Sequence, residues 1–586
     1  MKYSSIAEVY EDVESTTKRL EITDHLEALF RRTPPEIIDK VVYLTQGELY
    51  PAYLGIELGI AEKLAVKAVA QAAGISESII EAALEKLGDI GETAAEFLSK
   101  RKQATLLREK LTVQRVYSTL DKVARASGSR AQETKLRLIS GLLNDSDPFE
   151  GKYIIRTATG KLRLGVADMT ILDALAAAFC GSKEQRPQLE RAYNLTSDLG
   201  SLAETVAKQG LGGIKHFTIT VGKPIRPMLA ERLPSPREIL EKLEGVCAAE
   251  YKYDGERLQV HKNGEKVTLF SRRLENVTKH YPDACDLIRS NLKVKDAIVE
   301  CEAVAVNPNS GELMAFQELM HRRRKYGIEE AMGHYPVSLF LFDALYVDGK
   351  DLTLTAYPER RKTLLNIIKE AERVKPAVQI ETDNVDRLES FMEAAVEAGC
   401  EGIISKSIAS ESIYQAGARG WLWIKCKRDY QAVLSDTIDL AVVGAFHGRG
   451  RRAGTYGALL LATYNPKGGV FRTVCKCGTG FTDEDLEKIP QKLEGYRLSK
   501  RHARVESQMT ADVWFTPGLV LEVRGAEITL SPIHMCCRDT IRRESGLAIR
   551  FPRFTGRYRP DKAPEDSTTE DEVLEIYRKQ LRSVEI

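Results

Sequence analysis

One change of hydrophobic period limits the folds open to this chain more than any other feature. Up to about residue 215, apolar residues recur at three- and four-residue intervals, as in IAEKLAVKAVAQAA, SIIEAALEKL, TKLRLISGLLND and ADMTILDALAAAF. That spacing predicts amphipathic helices, and hardly a β-branched alternating run interrupts them. Ser5 with Glu8 predicts a capping box ahead of Ile6, Val9, Tyr10 and Val13; Thr33, Pro34 and Glu36 predict a second helix start. Across residues 212–236 Gly and Pro punctuate the chain, and Phe217, Ile219 and Val221 alternate as in a strand, which places a boundary near 215–225. Short strands such as AIVECEAVAV, VSLFLFDALYV and GWLWIKCK then interleave with helices to about 430, an α+β pattern. From 435, DLAVVGAF, YGALLLATY, VFRTVCKCG and GLVLEVRGAEITLS predict a small five-stranded barrel, closed by a helix that the Thr569 to Glu572 capping box announces. The expectation is three domains, over 1–215, 216–430 and 431–586, without an internal repeat. At roughly 150 residues per domain, 586 residues agree with three or four.

Charge excludes a chain-wide polyelectrolyte. Lys and Arg number 85 against 84 Asp and Glu, so any nucleic-acid contact must come from local patches. The ten cysteines include the close pairs Cys475/Cys477 and Cys536/Cys537, which lack the two-residue gap and second pair of a structural zinc site. Reduced thiols are the expectation, hence a cytoplasmic setting. The opening MKYSSIAEVYEDVEST has no signal-peptide core, and the most apolar run, ILDALAAAF, is too short to span a membrane.

The segment AEYKYDGERLQVH, residues 249–261, carries the sharpest chemical signal. Asp254-Gly255 marks a turn between two strands, with Glu250 and Lys252 on one face of the first. A lysine is a nucleophile only as the free amine, a form that burial and neighbouring cations such as Arg257 favour. Alone, a lysine beside a turn is usually a solvated charge. Here it is followed in order by SRRLENVT with Arg272 and Arg273, VECEAVAV with Glu302, LFLFDALYVDG with Phe342 and Asp343, EGIISK with Glu401 and Lys406, and YQAGARGWLWIKCKRDY with Arg419, Lys425 and Lys427. RFPRFTGRYRPDK, residues 550–562, closes the series.

This ordered set resembles the motifs of the covalent nucleotidyltransferase superfamily, and the whole chain resembles the ATP-dependent DNA ligases of archaeal and eukaryotic replicative type. KYDGER is similar to the KxDG adenylation motif, and EGIISK and WIKCK to the later nucleotide-binding motifs. GKLRLG, PIRPMLA and GAFHGRGRRAGTYG extend the likeness nearly end to end. Six elements in order are far more specific than one KxDG.

The resemblance implies an all-α DNA-binding domain, an α+β adenylation domain of nucleotidyltransferase fold and an OB-fold barrel with a C-terminal helix. It implies that Lys252 takes AMP from ATP, that the AMP passes to the 5′-phosphate at a nick, and that the 3′-hydroxyl then expels it, in DNA replication, repair and recombination. Glu250, Arg257, Arg272, Glu302, Phe342, Arg419, Lys425 and Lys427 become nucleotide contacts. Glu302 and Glu401 offer the hard oxygens that Mg²⁺ prefers, with Mn²⁺ as an alternative. Phosphoryl transfer asks chiefly for positioning and charge stabilisation, which suits so many cations. Lys161 and Arg163 in GKLRLG, and Arg449, Arg451 and Arg452 in HGRGRRAG, sit among glycines that let the backbone approach DNA phosphates.

Plainer readings stay open for single residues: Glu302 as a salt-bridged strand carboxylate, Phe342 as core, Lys406 as a strand-end charge, the Gly/Arg loops as solvated surface. The terminal motif departs from the family in having Thr555 and Gly556 after RFPRF and Pro560 before Asp561, although Arg559, Asp561 and Lys562 keep the RxDK pattern; this bears on how Arg557 and Arg559 reach the departing pyrophosphate. The family's sliding-clamp box is a glutamine followed by two aromatics, whereas KQATLL has Gln103 with Leu106 and Leu107. A clamp contact through Gln103 to Leu107 and an exposed helix end both remain open. The expected protein is a monomer acting on nicked duplex DNA in the nucleoid. Its rivals are an RNA ligase or mRNA-capping guanylyltransferase of the same superfamily, and a non-catalytic DNA-binding scaffold. ADP, GTP or NAD as donor stays undecided.

Overall fold

The structure is a computed structural model that describes residues 1–101, 109–306, 313–314, 316–322, 327–427, 437–448, 454–525, 527–531, 533–550 and 552–582. The chain divides into two compact units, Met1–Ile80 with Ile90–Lys427, and Arg428–Ile586 with Glu81–Asp89.

The first unit begins with helices and continues into two sheets. The two predicted early helix starts differ from the structure. The first helix, Ser4–Glu14, has Tyr3 as its N-cap, in helical backbone and with no capping side chain, because Tyr3, Ile6 and Tyr10 are all fully buried and packing sets the start. Thr33 closes the preceding helix Arg19–Arg32, its hydroxyl donating to the Leu29 carbonyl, and the next helix is Ile38–Gln46. A genuine capping box lies at Asp147 and Glu150, which exchange side-chain-to-backbone bonds of 2.8 and 3.0 Å and start helix Pro148–Ala158.

Two loop-to-helix junctions of the helical region are alike. In Leu58-Gly59-Ile60-Ala61-Glu62 and in Leu164-Gly165-Val166-Ala167-Asp168 a left-handed glycine (φ 60° and 67°) and an extended alanine lead into a helix of 12 residues, Glu62–Ala73 and Asp168–Phe179. The two junctions meet where the Lys161 ammonium pairs with Glu62 at 2.8 Å.

Eleven strands follow: β1 (Leu229–Arg232), β2 (Cys247–Lys252), β3 (Glu256–Asn263), β4 (Lys266–Ser271), β5 (Asp296–Ala305), β6 (Val337–Val347), β7 (Lys350–Asp351), β8 (Val374–Pro376), β9 (Gln379–Thr382), β10 (Gly402–Lys406) and β11 (Arg419–Lys427). They form one sheet in the order β1-β11-β10-β2-β9 and another in the order β4-β3-β5-β6-β7, with β8 on β6. The Asp254-Gly255 turn therefore joins strands of different sheets. Gly255 is needed there, since a Cβ would lie 2.3 Å from the Ala303 carbonyl oxygen on β5.

In the second unit β12 (Ile438–His447), β13 (Tyr456–Asn465) and β14 (Val470–Cys477) pair in sequence as antiparallel neighbours. Short strands on both sides extend them to an eight-stranded, OB-like sheet, three strands more than the alternation predicts, because two- and three-residue strands leave no periodic trace. The Thr569 and Glu572 box caps the helix Glu570–Arg582 as expected.

Candidate functional site

The two sheets of the first unit face a cavity of about 550 Å³. Lys252, at the end of β2, lines it together with Arg257 from β3, Arg272 after β4, Glu302 from β5, Glu401 before β10, and Arg419, Lys425 and Lys427 from β11. Register explains the convergence. On β10, Gly402 stands opposite both Lys252 on β2 and Lys427 on β11. Its φ is 145°, and a Cβ there would lie 2.2 Å from the Cys426 carbonyl oxygen, so glycine lets the strands close at this point. The Glu401 carboxylate, one residue earlier, pairs with the Lys252 ammonium and, at 2.8 Å, with Lys427.

Charge in the cavity is unbalanced. Burial opposes ionisation of Glu401, yet Lys252 and Lys427 hold its carboxyl below the ordinary value. Burial pushes Glu302 up to about 8, and Lys252 and Arg257 only partly offset it. Burial likewise raises Asp254, whose carboxylate accepts the Phe316 amide at 3.0 Å. Burial, then the charges of Lys252, Arg419 and Lys427, lower Lys425. Such a site favours arrival of an anion rich in oxygen.

Glu250, Phe342 and Lys406 lie beside the cavity and not on its lining. Lys406 is no surface charge: at 1 % exposure it pairs with Glu250 at 2.7 Å, and its ammonium stands 4.5 Å from the ring centres of Tyr357 and Trp423 and 5.0 Å from that of Phe342. Burial lowers its pKa in spite of Glu250. Phe342 is half-buried, between this cation and the Arg257 guanidinium, 5.4 Å from its ring. Asp343 is fully buried and gripped by Arg360 at 2.8 and 2.9 Å, a structural pair.

Several contributors escaped the sequence reading. Phe316 and Met320 line the cavity, beside Asp254 and Arg273, which the sequence motifs had already named. Glu300 holds Arg257 at 2.8 Å, and Tyr414 donates to the same carboxylate at 3.0 Å. The signal for Glu300 was its place two residues before Glu302, on the same strand face.

The proposed DNA contacts divide. In GKLRLG, Leu162 and Leu164 are buried while Arg163 is exposed at φ 59°, so the leucines anchor a loop whose basic residues alternate outward. Arg449, Arg451 and Arg452 lie outside the described residues, as do Gln103 to Leu107. In the second unit Arg559 pairs with Asp561 at 2.7 Å and with Asp439 at 2.6 Å, and Lys562 reaches Asp439 at 2.7 Å. Arg557 is exposed, 3.8 Å from Glu522.

For a metal ion, Glu302 and Glu401 present hard carboxylate oxygens to the cavity, a donor set that fits Mg²⁺. Among the described residues no helix is long and apolar enough to cross a membrane.

Three family descriptions match the chain: "DNA ligase N terminus" over residues 2–176, "ATP dependent DNA ligase domain" over 227–427 and "ATP dependent DNA ligase C terminal region" over 452–562. Among curated proteins, "DNA ligase 2" of Thermofilum pendens is 55% identical, covering 100% of this chain and 98% of that protein. "DNA ligase" of Staphylothermus marinus is 51% identical over 100% of both chains. The solved structure "Pmar-Lig_Pre." matches with a TM-score of 0.55 at 17% identity, covering 94% of this chain and 98% of its own, a likeness of fold.

Proposed function

Because the chain belongs to the ATP-dependent DNA ligases and seals nicks in duplex DNA, we propose that the Lys252 cavity is where it takes up AMP. The observation that carries this reading is the convergence of Lys252, Glu302, Glu401 and the cations of β3, β4 and β11 on one cavity.

In the first step the Lys252 amine attacks the α-phosphorus of ATP, a bond from Nζ to phosphorus forms, and the α–β anhydride bond breaks with release of pyrophosphate. Arg272, Arg419, Lys425 and Lys427 neutralise phosphate oxygens as charge shifts to the leaving group. Arg257, fixed by Glu300, holds the nucleotide from the opposite sheet, with Phe342 behind it. Glu302 and Glu401 would hold Mg²⁺, which supplies charge neutralisation on the phosphates. An oxygen of the nick's 5′-phosphate then attacks the lysyl-AMP phosphorus, freeing Lys252, and the 3′-hydroxyl finally attacks the DNA-adenylate and expels AMP. The Leu-anchored loop 160–165 and the similar loop 55–59 contact backbone phosphates through Lys161, Arg163 and glycine-permitted amides, a sequence-independent grip that suits sealing any nick. Arg557, Arg559 and Lys562 act on the pyrophosphate. The enzyme serves replication, repair and recombination as a monomer.

A donor-by-substrate matrix tests this. The protein is incubated with α-labelled ATP or GTP and then with nicked duplex DNA or RNA. Label from ATP that is retained in wild type and absent from Lys252→Ala, followed by sealing of DNA, is expected. Labelling by GTP alone or sealing of RNA alone overturns the reading in favour of an RNA-directed relative, which family membership does not favour.

A further inference from the structure

Asp439 lies in β12, about 120 residues before the terminal motif, yet its side chain organises that motif. One carboxylate oxygen accepts from the Arg559 guanidinium at 2.6 Å and pairs with the Lys562 ammonium at 2.7 Å. Asp561 takes two other Arg559 nitrogens at 3.0 and 2.7 Å. A guanidinium has five N–H donors, and these bonds use three, leaving donors on both terminal nitrogens for a further anion. The Asp439 carboxylate is largely buried, whereas Arg559 and Lys562 are partly exposed. The acid is thus the fixed partner and the cations are the groups it holds. Its backbone is independently secured, for Asp439 N–H donates to the Thr568 hydroxyl at 3.1 Å and its carbonyl accepts from the Thr568 amide at 2.8 Å.

From this arrangement we infer that Asp439 is a positioning residue for enzyme adenylation, holding Arg559 and Lys562 in the orientation in which they meet the pyrophosphate. The inference rests on the role proposed above for the terminal motif. Two cations balanced by two acids exert little net field, so this cluster acts through directed N–H bonds on phosphate oxygens. A guanidinium already fixed on two sides loses less freedom when it takes up an anion than a solvated one. Removing the Asp439 charge takes the Lys562 pair away and leaves Arg559 held by Asp561 alone, with the strand's backbone bonds in place.

The test separates the steps in the full-length enzyme. Formation of enzyme-AMP from labelled ATP is timed for wild type, Asp439→Asn, Arg559→Gln, Lys562→Gln and the Asp439→Asn/Arg559→Gln double variant, and sealing of a pre-adenylated nick is timed for wild type and Asp439→Asn. Asp439→Asn is expected to slow adenylation by about ten- to a hundred-fold, the effect of losing one charge-assisted hydrogen bond that orients a phosphate ligand, with sealing of the pre-adenylated nick unchanged. The double variant should be slower than Arg559→Gln alone by no more than the loss seen in Lys562→Gln, because Lys562 is the one cation Asp439 still holds in that background. Native adenylation by Asp439→Asn beside a slow Arg559→Gln overturns the inference, as does an additive double variant or an equal loss in both steps. Native adenylation by both Arg559→Gln and Lys562→Gln instead removes the motif's proposed role.

Discussion

The cavity around Lys252 and the cluster around Asp439 are both rich in cations, and they handle charge in opposite ways. Seven basic side chains and four acidic ones line the cavity among the described residues. The cluster sets Arg559 and Lys562 against Asp439 and Asp561, two for two. The imbalance of the first shows in Lys425, which burial and the neighbouring cations push toward its neutral form. A cavity that leaves its charge uncompensated is completed by its substrate, whereas a neutralised cluster contributes geometry.

The largest effect belongs to Lys252, the proposed nucleophile. Lys252→Ala should abolish enzyme-AMP formation, a fall of at least about 10⁴-fold, while a pre-adenylated nick, which needs no lysyl-AMP, is still sealed. Retention of covalent label by the variant breaks the assignment of the cavity.

Glu302→Gln sharpens the contrast further, because activity and stability should move in opposite directions. Activity falls by about 10² to 10³-fold, as for loss of one preorganised charge in a phosphoryl-transfer site. For stability, Glu302 ionises near 8 in the folded protein and near its ordinary 4.5 when unfolded. Between those values the unfolded chain binds fewer protons, so the wild type loses stability as pH rises through that window, and the loss is complete above pH 8. Glutamine pays no such cost. The Tm of the variant should exceed that of the wild type at pH 9 and approach it near pH 4, with Mg²⁺ narrowing the gap at pH 9. A gap independent of pH contradicts the buried-carboxylate account.

Lys406 asks whether the balanced arrangement is also the fragile one. Lys406→Met leaves the buried Glu250 with only the Tyr357 hydroxyl and a 3.5 Å contact to Arg361, and should cost up to about 3–5 kcal/mol, read from denaturant unfolding. Joining it to Glu250→Gln removes both charges and should recover much of that loss. Equal losses in single and double variants show that the ring cage, and not the ion pair, carries the energy.

The strands that line the cavity were legible because their residues are local: Lys252, Glu302, Glu401 and Lys425 each sit in a short string of the sequence, and the change of period located the sheets. What stayed hidden arises from contacts between distant segments. Nothing in DLAVVGAF marks Asp439 as the partner of Arg559 and Lys562, 120 residues later by one bond and joined only by the fold. Lys406 read equally well as a surface charge because its burial depends on Tyr357 and Trp423 arriving from other elements. The predicted helix starts failed for a related reason: Ser5 and Thr33 have the right side chains, but the buried Tyr3 and the preceding helix decide the backbone there.

The smallest effect probes the two similar junctions of the helical region, whose loops differ in charge as the two clusters do. Loop 160–165 carries Lys161 and Arg163, while the similar loop 55–59 carries Glu57 and no cation. Lys161 already pairs with Glu62 of the other junction, so part of its charge is spent within the protein. Arg163, on its left-handed backbone, is the more exposed of the two, and on exposure alone the readier to meet a phosphate. Each phosphate contact adds about one to the slope of log affinity for nicked duplex against log salt concentration. Arg163→Gln should therefore lower that slope by about one, and Lys161→Gln by less, since a surface ion pair with Glu62 is worth only about 0–1 kcal/mol and competes with DNA. Both variants should form enzyme-AMP at the native rate, as neither touches the nucleotide. Equal slopes for the two variants would show that the Glu62 pair does not compete with DNA, and an unchanged slope for Arg163→Gln would remove this loop from the DNA-binding surface.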